Sequence, residues 1–552
     1  VSNKFQEAGK RYGELAKTVA ATRMIRPVHP KVLLEIHRSL KKYGPTQPAA
    51  YKISATRVPN ELAIIDELGS LTNLEVHERT NQLAHALAKQ GIGNNSRVAI
   101  LCRNHRGFIE AFVAALKVGA DGLLLNTAFA GPQLVQVIED QDADAVIMDE
   151  EYAQLLDGAL DDRPVFIAWH DSENPPFPTL DQLREGESTE EPPEPGRTGR
   201  TIILTSGTTG KPKGAARAEP KGLKGLLSVV STIPYRYRDR MLVSAPLFHA
   251  WGFSNCSANM TFNGTAILRR RFDPEDVLAT IEREQVDMLV VVPVMLQRML
   301  DVPQATRRKY NVSSLKAVAA SGSALPGQLS IEFMDEFGDV LYNLYGSTEV
   351  AWATVASPED MRAAPGTAGK APTGTVLKIL TEDGEELPQG ETGQIFVQHD
   401  MIFEGYTGGE QKNAFAGMAG TGDLGHLDEG DRLFIDGRID EMIISGGENV
   451  YPIEVEDVLA THEAVHEIAV VGVDDEKFGA RLRAFVVLRE DQDVTEADLK
   501  THVKEHLANF KVPREVVFLD ELPRNGTGKV MKTELRQYET ATAGDGESAA
   551  AG

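Results

Sequence analysis

Cysteine is almost missing from this chain, which has Cys102 and Cys256 and no others in 552 residues. Two cysteines cannot build a disulfide framework, and nothing near them in sequence resembles a metal-ligand spacing. A reducing compartment is expected. Long apolar runs are missing as well. The longest lies near Met288–Leu296 and contains Pro293; it falls well short of the ~20 residues that a membrane-spanning helix needs. The N-terminus lacks the hydrophobic core of a signal peptide, and the chain does not end in Ser-Lys-Leu, so a cytoplasmic location is expected. Positive charge is also in deficit. Fifty-seven Lys and Arg face 81 Asp and Glu, a net charge of −24. Nucleic-acid binding is driven by Lys and Arg neutralising phosphates, so that class of partner is set aside. Any polyphosphate ligand must be held by a local site.

What is present is ordinary in bulk and specific in detail. A composition 42% hydrophobic and 25% charged is that of a globular protein, and the length implies two to four packed units. Residues 1–45 run against the acidic average. Ten Lys and Arg stand there, from Lys4 to Lys42, against Glu7, Glu14 and Glu35. Phe5, Ala8, Tyr12, Leu15, Val19 and Thr22 recur at helical spacing. Two readings are open for this basic amphipathic segment: it lies on an anionic membrane surface, or its apolar stripe packs on the body of the protein.

From Leu71 onward, helix-like stretches such as Val76–Gln90 and Gly107–Val118 alternate with short apolar runs such as Val98–Leu101, Asp121–Leu125 and Ala145–Met148. That is the rhythm of an α/β fold with a mostly parallel sheet. Asp171–Arg200, rich in Pro, Glu, Ser and Gly, reads as a surface connection without elements. Gly-rich turns between short strands mark a β-rich stretch from Lys370 to Phe434. A smaller α+β unit follows Arg438, and the tail beyond about Thr540 is small and polar. The expected division is 1–45, 46–439, 440–540 and a disordered 541–552.

The densest chemistry is Thr205-Ser206-Gly207-Thr208-Thr209-Gly210-Lys211-Pro212-Lys213-Gly214, which follows the apolar run Thr201–Leu204. A strand opening into Gly and hydroxyl residues offers N–H and O–H donors to phosphate oxygens with no bulky side chain in the way. It is not a Walker loop, because Thr205 stands where the first Gly belongs and Pro212 follows Lys211. Three further loops follow apolar runs in the same manner: Pro246 to Gly252, Ser321 to Pro326 and Tyr345 to Glu349. If the strands are parallel, all four loops emerge at one edge of the sheet, where open α/β sheets bind ligands.

The chain resembles the superfamily of adenylate-forming enzymes, which includes acyl- and aryl-CoA synthetases, peptide-synthetase adenylation domains and firefly luciferase. The likeness runs from Leu71-Thr72-Asn73-Leu74 to Gly528-Lys529 with the motifs in family order. It implies a large N-terminal domain of two α/β subdomains plus a small β-rich subdomain, and a small mobile α+β C-terminal domain. It further implies ATP, Mg²⁺ and coenzyme A as ligands. Carried over by position, Thr205, Ser206, Gly207, Thr208, Thr209, Gly210 and Lys213 would hold the β- and γ-phosphates. Ser323 and Ala324 would line the adenine site, where Tyr345 stacks, with Gly346 and Ser347 beside it. Thr348 would touch the α-phosphate, and Glu349 would ligate Mg²⁺, a hard cation that takes oxygen ligands. Asp423 would accept hydrogen bonds from the ribose hydroxyls, assisted by Arg438.

Lys529 matches the catalytic lysine of the family. A carboxylate attacking the α-phosphate brings two anions together, and a cation aimed at the phosphoryl oxygens lowers that barrier. The resemblance puts Asp440 at a hinge. It implies that the C-terminal domain swings between the two half-reactions, so that Ser445, Gly446 and Gly447 replace Lys529 and line the pantetheine tunnel. Among the CoA-linked positions, Phe478 stands where the family often has Trp, and Phe510, Lys511 and Arg514 stand where some relatives contact the CoA nucleotide. His249 has two readings, a wall or gate between the acid and CoA tunnels, and a hydrogen-bonded core histidine. The acyl pocket would be drawn from Trp251, Ala320, Gly346, Val350 and Ala351.

The activity expected from the resemblance is an AMP-forming acyl-CoA synthetase. The texture of Pro246–Trp251 and the basic N-terminal segment look like bacterial fatty-acyl ligases, which implies a medium- or long-chain acid and a peripheral place at the inner membrane surface. An aryl or short-chain acid stays open, as do a carrier-protein or amine acceptor and a nucleotide-binding protein without turnover.

Overall fold

The computed structural model describes residues 17–24, 26–158, 160, 162–206, 212–216, 224–347, 350–399, 414–445, 448–475 and 479–538. Two compact units emerge from the contacts. The first comprises Val1–Thr421, His426–Phe434 and Gly526–Gly528. The second comprises Gly422–Gly425, Ile435–Asn525 and Lys529–Gly552.

The first unit contains two mostly parallel sheets. The larger has eight strands in the spatial order Thr354–Ala356, Leu341–Tyr345, Ala317–Ala320, Met288–Val291, Arg240–Val243, Thr265–Leu268, Leu62–Asp66 and Gly69–Thr72. The six inner strands are parallel, and the strand at each edge is antiparallel to its neighbour. The second sheet has six, in the order Val165–Trp169, Ala145–Asp149, Arg97–Leu101, Asp121–Leu124, Thr201–Ser206 and Pro212–Ala216; only the last is antiparallel. The two sheets are the two α/β subdomains that the family resemblance implied, whereas sequence rhythm alone did not divide the alternation into two. Both sheets have the same strand–helix alternation, so nothing in the pattern marks where one stops and the other begins.

Burial explains the layering. One apolar cluster takes side chains from both sheets, among them Val98, Ile100 and Ile147 from the smaller and Met241, Val243 and Val290 from the larger. Leu242, Leu289 and Val318 point into a second cluster, and Ala99, Leu123 and Val146 into a third. Alternate residues of each strand therefore serve opposite faces, as the period of two demands. Every residue of the helix Arg106–Lys117 is buried. A helix covered on all sides belongs inside a core. The helix Asn73–Lys89 starts with a capping box at the Leu71–Leu74 motif: Thr72 Oγ1 accepts from Glu75 N–H, and Glu75 returns a bond to Thr72 N–H.

The β-rich stretch forms a five-stranded sheet of Val376–Leu380, Gly393–Gln398, Met418–Leu427, Ala414–Phe415 and Leu433–Arg438. The second unit holds a further five-stranded sheet. Its long antiparallel pair Val465–Asp475 and Gly479–Leu488 is joined by Glu515–Phe518, parallel to the latter strand. The helices Pro452–Ala460 and Glu496–His506 share one buried cluster with that sheet, and Leu522 and Leu535 share the other.

Two sequence expectations change. Asp171–Arg200 is not free of elements, since Thr179 caps a short helix at Leu180–Arg184. The N-terminal segment is not one helix. Helical residues end at Thr22, Arg23 turns with φ 56°, and a separate helix spans Pro30–Tyr43. The expectations for residues 1–16 and for the tail 541–552 lie outside the described residues.

Candidate active site

The strands Thr201–Ser206 and Pro212–Ala216 pair as a hairpin with Thr205 opposite Lys213. The phosphate-loop motif therefore begins at the carboxyl end of the parallel strand Thr201–Ser206. Gly207, Thr208, Thr209 and Gly210 lie outside the described residues, and so do the side chains of Thr205, Ser206 and Lys213.

The other three loops follow Arg240–Val243, Ala317–Ala320 and Leu341–Tyr345, all parallel strands of the larger sheet. They leave from one edge, as expected, but the phosphate-loop motif leaves from the other sheet. Asn104 joins the two. It sits just past the strand Arg97–Leu101 of the smaller sheet. Its amide nitrogen donates to Val243 O at 3.0 Å and Ala245 O at 2.9 Å, and its amide oxygen accepts from Leu247 N–H at 2.8 Å. The carboxyl end of one sheet is thereby bonded to the carboxyl end of the other through a buried side chain. Sequence reading missed Asn104, because an Asn after a strand is indistinguishable from an ordinary turn residue.

His249 is the N-cap of the helix Ala250–Thr261, and its Nδ1 accepts from Trp251 N–H at 3.4 Å. The Trp251 indole donates to Val291 O at 2.9 Å, tying this helix to the end of the strand Met288–Val291. Gly252 admits a close approach: a Cβ there would meet Pro246 O at 2.4 Å. Ser323 and Ala324 follow Gly322, whose φ is 105°.

Tyr345 ends its strand, and its carbonyl accepts from Ala353 N–H at 2.8 Å, closing the loop between the strands Leu341–Tyr345 and Thr354–Ala356. Within it, Ser347 Oγ accepts from Val350 N–H at 3.4 Å, and Ala351 is left-handed with φ 57°. A Cβ on Gly346 would stand 2.3 Å from Ala351 O, so only Gly fits. Thr348 and Glu349 lie outside the described residues. The expected acyl set is only partly brought together. Trp251, Leu344 and Trp352 share one cluster, with Ala351 packed on it. Val350 is fully buried. Ala320 packs in the cluster on the opposite face, and Ala319, one residue earlier, packs on the side of Trp251. Alternation along the strand accounts for the exchange.

In the second unit, Arg438 connects two predicted residues. Its Nη1 lies 3.2 Å from Asp423 Oδ1, while Nε and Nη2 reach Asp440 Oδ1 and Oδ2 at 2.8 and 3.1 Å. The Arg438 guanidinium holds the Asp440 carboxyl below its usual range. Asp440 lies in a 3₁₀ turn, Ile439–Glu441, directly after the strand that ends at Arg438.

Lys529 sits on a small closed loop. Its N–H donates to Asn525 Oδ1 at 3.0 Å, Asn525 N–H donates to Lys529 O at 2.9 Å, and Arg524 bridges Val530. Ser445 ends the strand Ile443–Ser445; Gly446, Gly447 and Phe478 lie outside the described residues. Phe510 and Lys511 share a 3₁₀ turn. The Phe510 ring is exposed, and the Lys511 ammonium is paired with Glu454. Arg514 precedes the strand Glu515–Phe518, and its N–H donates to Leu482 O at 2.9 Å.

No metal-ligand spacing surrounds the cysteines in the sequence, yet Cys102, His105 and Asp149 bring their ligand atoms within 4.8 Å of one another, the one such group among the described residues. It does not suit Mg²⁺, which takes oxygen ligands. All three are buried and bonded: His105 Nδ1 accepts from Gly107 N–H, which leaves Nε2–H to donate to Asp149 at 2.7 Å, and Asp149 also accepts from Arg103 N–H. A surface groove of about 770 Å³ lies among Asp66, Gly69, Arg269, Arg270, Arg271 and Arg283; no predicted site residue lines it.

The profile of a family described as AMP-binding enzyme matches residues 51–407, and that of the AMP-binding enzyme C-terminal domain matches 454–529. The chain is 32% identical to an indoleacetate–CoA ligase of Aromatoleum aromaticum over 87% of this chain and 95% of that one. It is 31% identical to the long-chain-fatty-acid–CoA ligase FadD13 of Mycobacterium tuberculosis, over 86% and 94%. Its fold matches the o-succinylbenzoate CoA synthetase of Bacillus subtilis, solved with its acyl-adenylate intermediate, at a TM-score of 0.76, 29% identity and coverage of 89% and 99%.

Proposed function

The chain belongs to the AMP-binding enzyme family and is an acid–thiol ligase, and from that premise we propose that it converts an apolar carboxylic acid, ATP and coenzyme A into acyl-CoA, AMP and pyrophosphate. The supporting observation is the Asn104 junction, which bonds together the carboxyl ends of two sheets, one carrying the phosphate-loop motif and the other the Tyr345–Ala351 loop.

In the first step the acid's carboxylate oxygen bonds to the α-phosphorus of ATP, and the bond to the pyrophosphate oxygen breaks. The hydroxyls and N–H groups of Thr205–Gly210, with Lys213, hold the leaving phosphates. Lys529 offsets the charge that grows on the α-phosphoryl oxygens. Thr348 touches the same group, and Glu349 is the carboxylate suited to a magnesium ion. Ser323, Ala324 and Tyr345 take the adenine, and Asp423 takes the ribose. In the second step the thiol sulfur of CoA bonds to the acyl carbon, and AMP leaves with the carboxyl oxygen. Asp440 is the hinge for that exchange, and Ser445–Gly447, Phe478, Phe510, Lys511 and Arg514 attend the CoA. The proposed division of labour follows residues 46–439 and 440–540.

For the acid we propose a medium- or long-chain fatty acid, the class acted on by FadD13, with a peripheral place at the membrane through the N-terminal segment. One observation favours an aryl acid instead. Trp352 stacks flat on His399 at 4.4 Å beside the Val350–Ala351 turn, with Trp251 in the same cluster, and an aromatic wall suits an aromatic ring. A screen of acids from C2 to C18 with indoleacetate and benzoates included, read by pyrophosphate release, decides between them. The fatty-acid reading requires turnover to rise with chain length; a maximum on the aryl acids removes it. Adding CoA and looking for thioester separates this acceptor from a carrier protein or an amine.

A further inference from the structure

The helix Pro30–Tyr43 divides cleanly around its axis. At 100° per residue, Val32, Glu35, Ile36, Ser39, Lys42 and Tyr43 occupy one half of the circumference. This is the inner half. Ser39 and Tyr43 are buried, and Lys42 donates to Glu191 at 3.2 Å and to Pro192 O at 2.7 Å. The connection before the helix is fastened too. Tyr237 N–H donates to Thr22 O at 2.8 Å, and the Arg26 guanidinium lies 4.5 Å from the Tyr237 ring centre.

The other half faces solvent. Leu33, Leu34 and Leu40 are 55%, 48% and 44% exposed. Lys31, His37, Arg38 and Lys41 lie among them and are exposed as well. The helix has one acid, Glu35. It stands on the inner side, where it bonds Arg38 at 2.5 Å and approaches Lys52 at 3.7 Å. Three leucines ringed by cations, with no acid on that face, form a local exception in a chain of net charge −24. The packing of the inner half also means that the protein's own core is not what these leucines serve.

The geometry points to this face as a docking surface for a bilayer rich in anionic phospholipid. The helix lies flat, its leucines enter the acyl boundary, and Lys31 and Lys41 meet the phosphates, with Arg38, paired to Glu35, at their border. A basic helix with an apolar stripe binds in this way through the sum of buried apolar area and electrostatic attraction. A neutral partner would leave the cations without a role, and a second copy of this face would set like charges against one another. The inference rests on the peripheral location proposed above and extends it to named residues and a lipid class.

Flotation with phosphatidylglycerol vesicles tests it, with phosphatidylcholine vesicles alongside. The full chain is expected to float with the anionic vesicles and be released as salt is raised. K31E/R38E/K41E should lower partitioning by at least about a hundredfold, given the worth of each basic residue at an anionic surface and the reversal of each charge. L33S/L34S/L40S should abolish it. Pyrophosphate release with a water-soluble acid serves as the control, because it reads ligase function without the membrane. Absence of flotation overturns the inference. So does flotation that persists in both variants, or that disappears only when residues 1–16 are deleted. A concentration-dependent dimer abolished by L33S/L34S/L40S would assign the face to a second copy and equally overturn it.

Discussion

The guanidinium of Arg438 lies along the carboxylate of Asp440, with Nε to Oδ1 at 2.8 Å and Nη2 to Oδ2 at 3.1 Å. The third contact of the same arginine goes to Asp423. One cation therefore serves both the proposed ribose ligand and the proposed hinge. Asp440→Pro should leave adenylation, measured as ATP–pyrophosphate exchange, within a few-fold of wild type and lower thioester formation at least about a hundredfold, because the turn can no longer rotate. Arg438→Ala should instead raise KM for ATP about tenfold, the worth of a lost charge-assisted bond that leaves Asp423 facing Asp440. Unchanged overall turnover by the proline variant would remove the hinge role.

Lys529→Ala should lower adenylation by about three orders of magnitude, within the range seen when a charge-stabilising donor is removed. Thioester formation from supplied acyl-adenylate and CoA should change by less than about threefold. Equal loss in both half-reactions, followed in a quenched-flow instrument, would contradict the exchange of Lys529 for the Ser445–Gly447 loop.

Asn104→Ala removes three buried hydrogen bonds at once and strands the carbonyls of Val243 and Ala245. A cost of about 3 kcal/mol is expected, at about 1 kcal/mol per bond. Urea unfolding measures it. Because the residue fastens one sheet's carboxyl edge to the other's, kcat should fall further than KM rises. Asn104→Asp, which sets a buried carboxylate oxygen against the carbonyls of Val243 and Ala245, should cost more than Asn104→Ala at neutral pH.

Asp239 gives a pH dependence whose sign can be worked out. Burial, then the nearby Asp287, raises its carboxyl to about 6 from an ordinary 3.8. The folded protein thus holds that proton more tightly than the unfolded chain does. Stability from this group is complete below pH 3.8, declines as pH rises toward 6, and above that leaves a penalty of about 2–3 kcal/mol. Asp239→Asn keeps an oxygen for the Arg236 N–H. It should stabilise the protein at pH 7.5 by about 2 kcal/mol and change little at pH 4. Equal effects at both values would contradict the assignment.

Much of the fold could be read from spacing alone. Short apolar runs and amphipathic stretches marked most strands and helices within a residue or two; the runs Val98–Leu101 and Asp121–Leu125 became the strands Arg97–Leu101 and Asp121–Leu124, and the stretch Gly107–Val118 became the helix Arg106–Lys117. Local pattern carries that information because the strand and helix periods are local. The division into two sheets is a matter of which strand pairs with which, and Ile203 beside Leu124 looks the same in sequence as Val318 beside Leu341. The exchange of Ala320 for Ala319 has a similar origin. Two adjacent alanines carry no mark of which face they take, and a shift of one residue reverses it. The motif loops were legible because Gly, Thr and Ser cluster there for backbone reasons. The fastenings around them, Asn104, Asn525 and the Trp352–His399 stack, join positions whose separation hides any pattern, or else resemble common turn residues.

The closed loop that carries Lys529 has a kinetic meaning. A lysine on slack chain would have to be arranged afresh for every turnover, and that arrangement would slow each adenylation. Here Asn525 fixes both the N–H and the carbonyl of Lys529 before any nucleotide arrives. Only the four-carbon stem remains to be aimed. Loosening Asn525 should therefore show itself in the entropy of activation and not in the enthalpy.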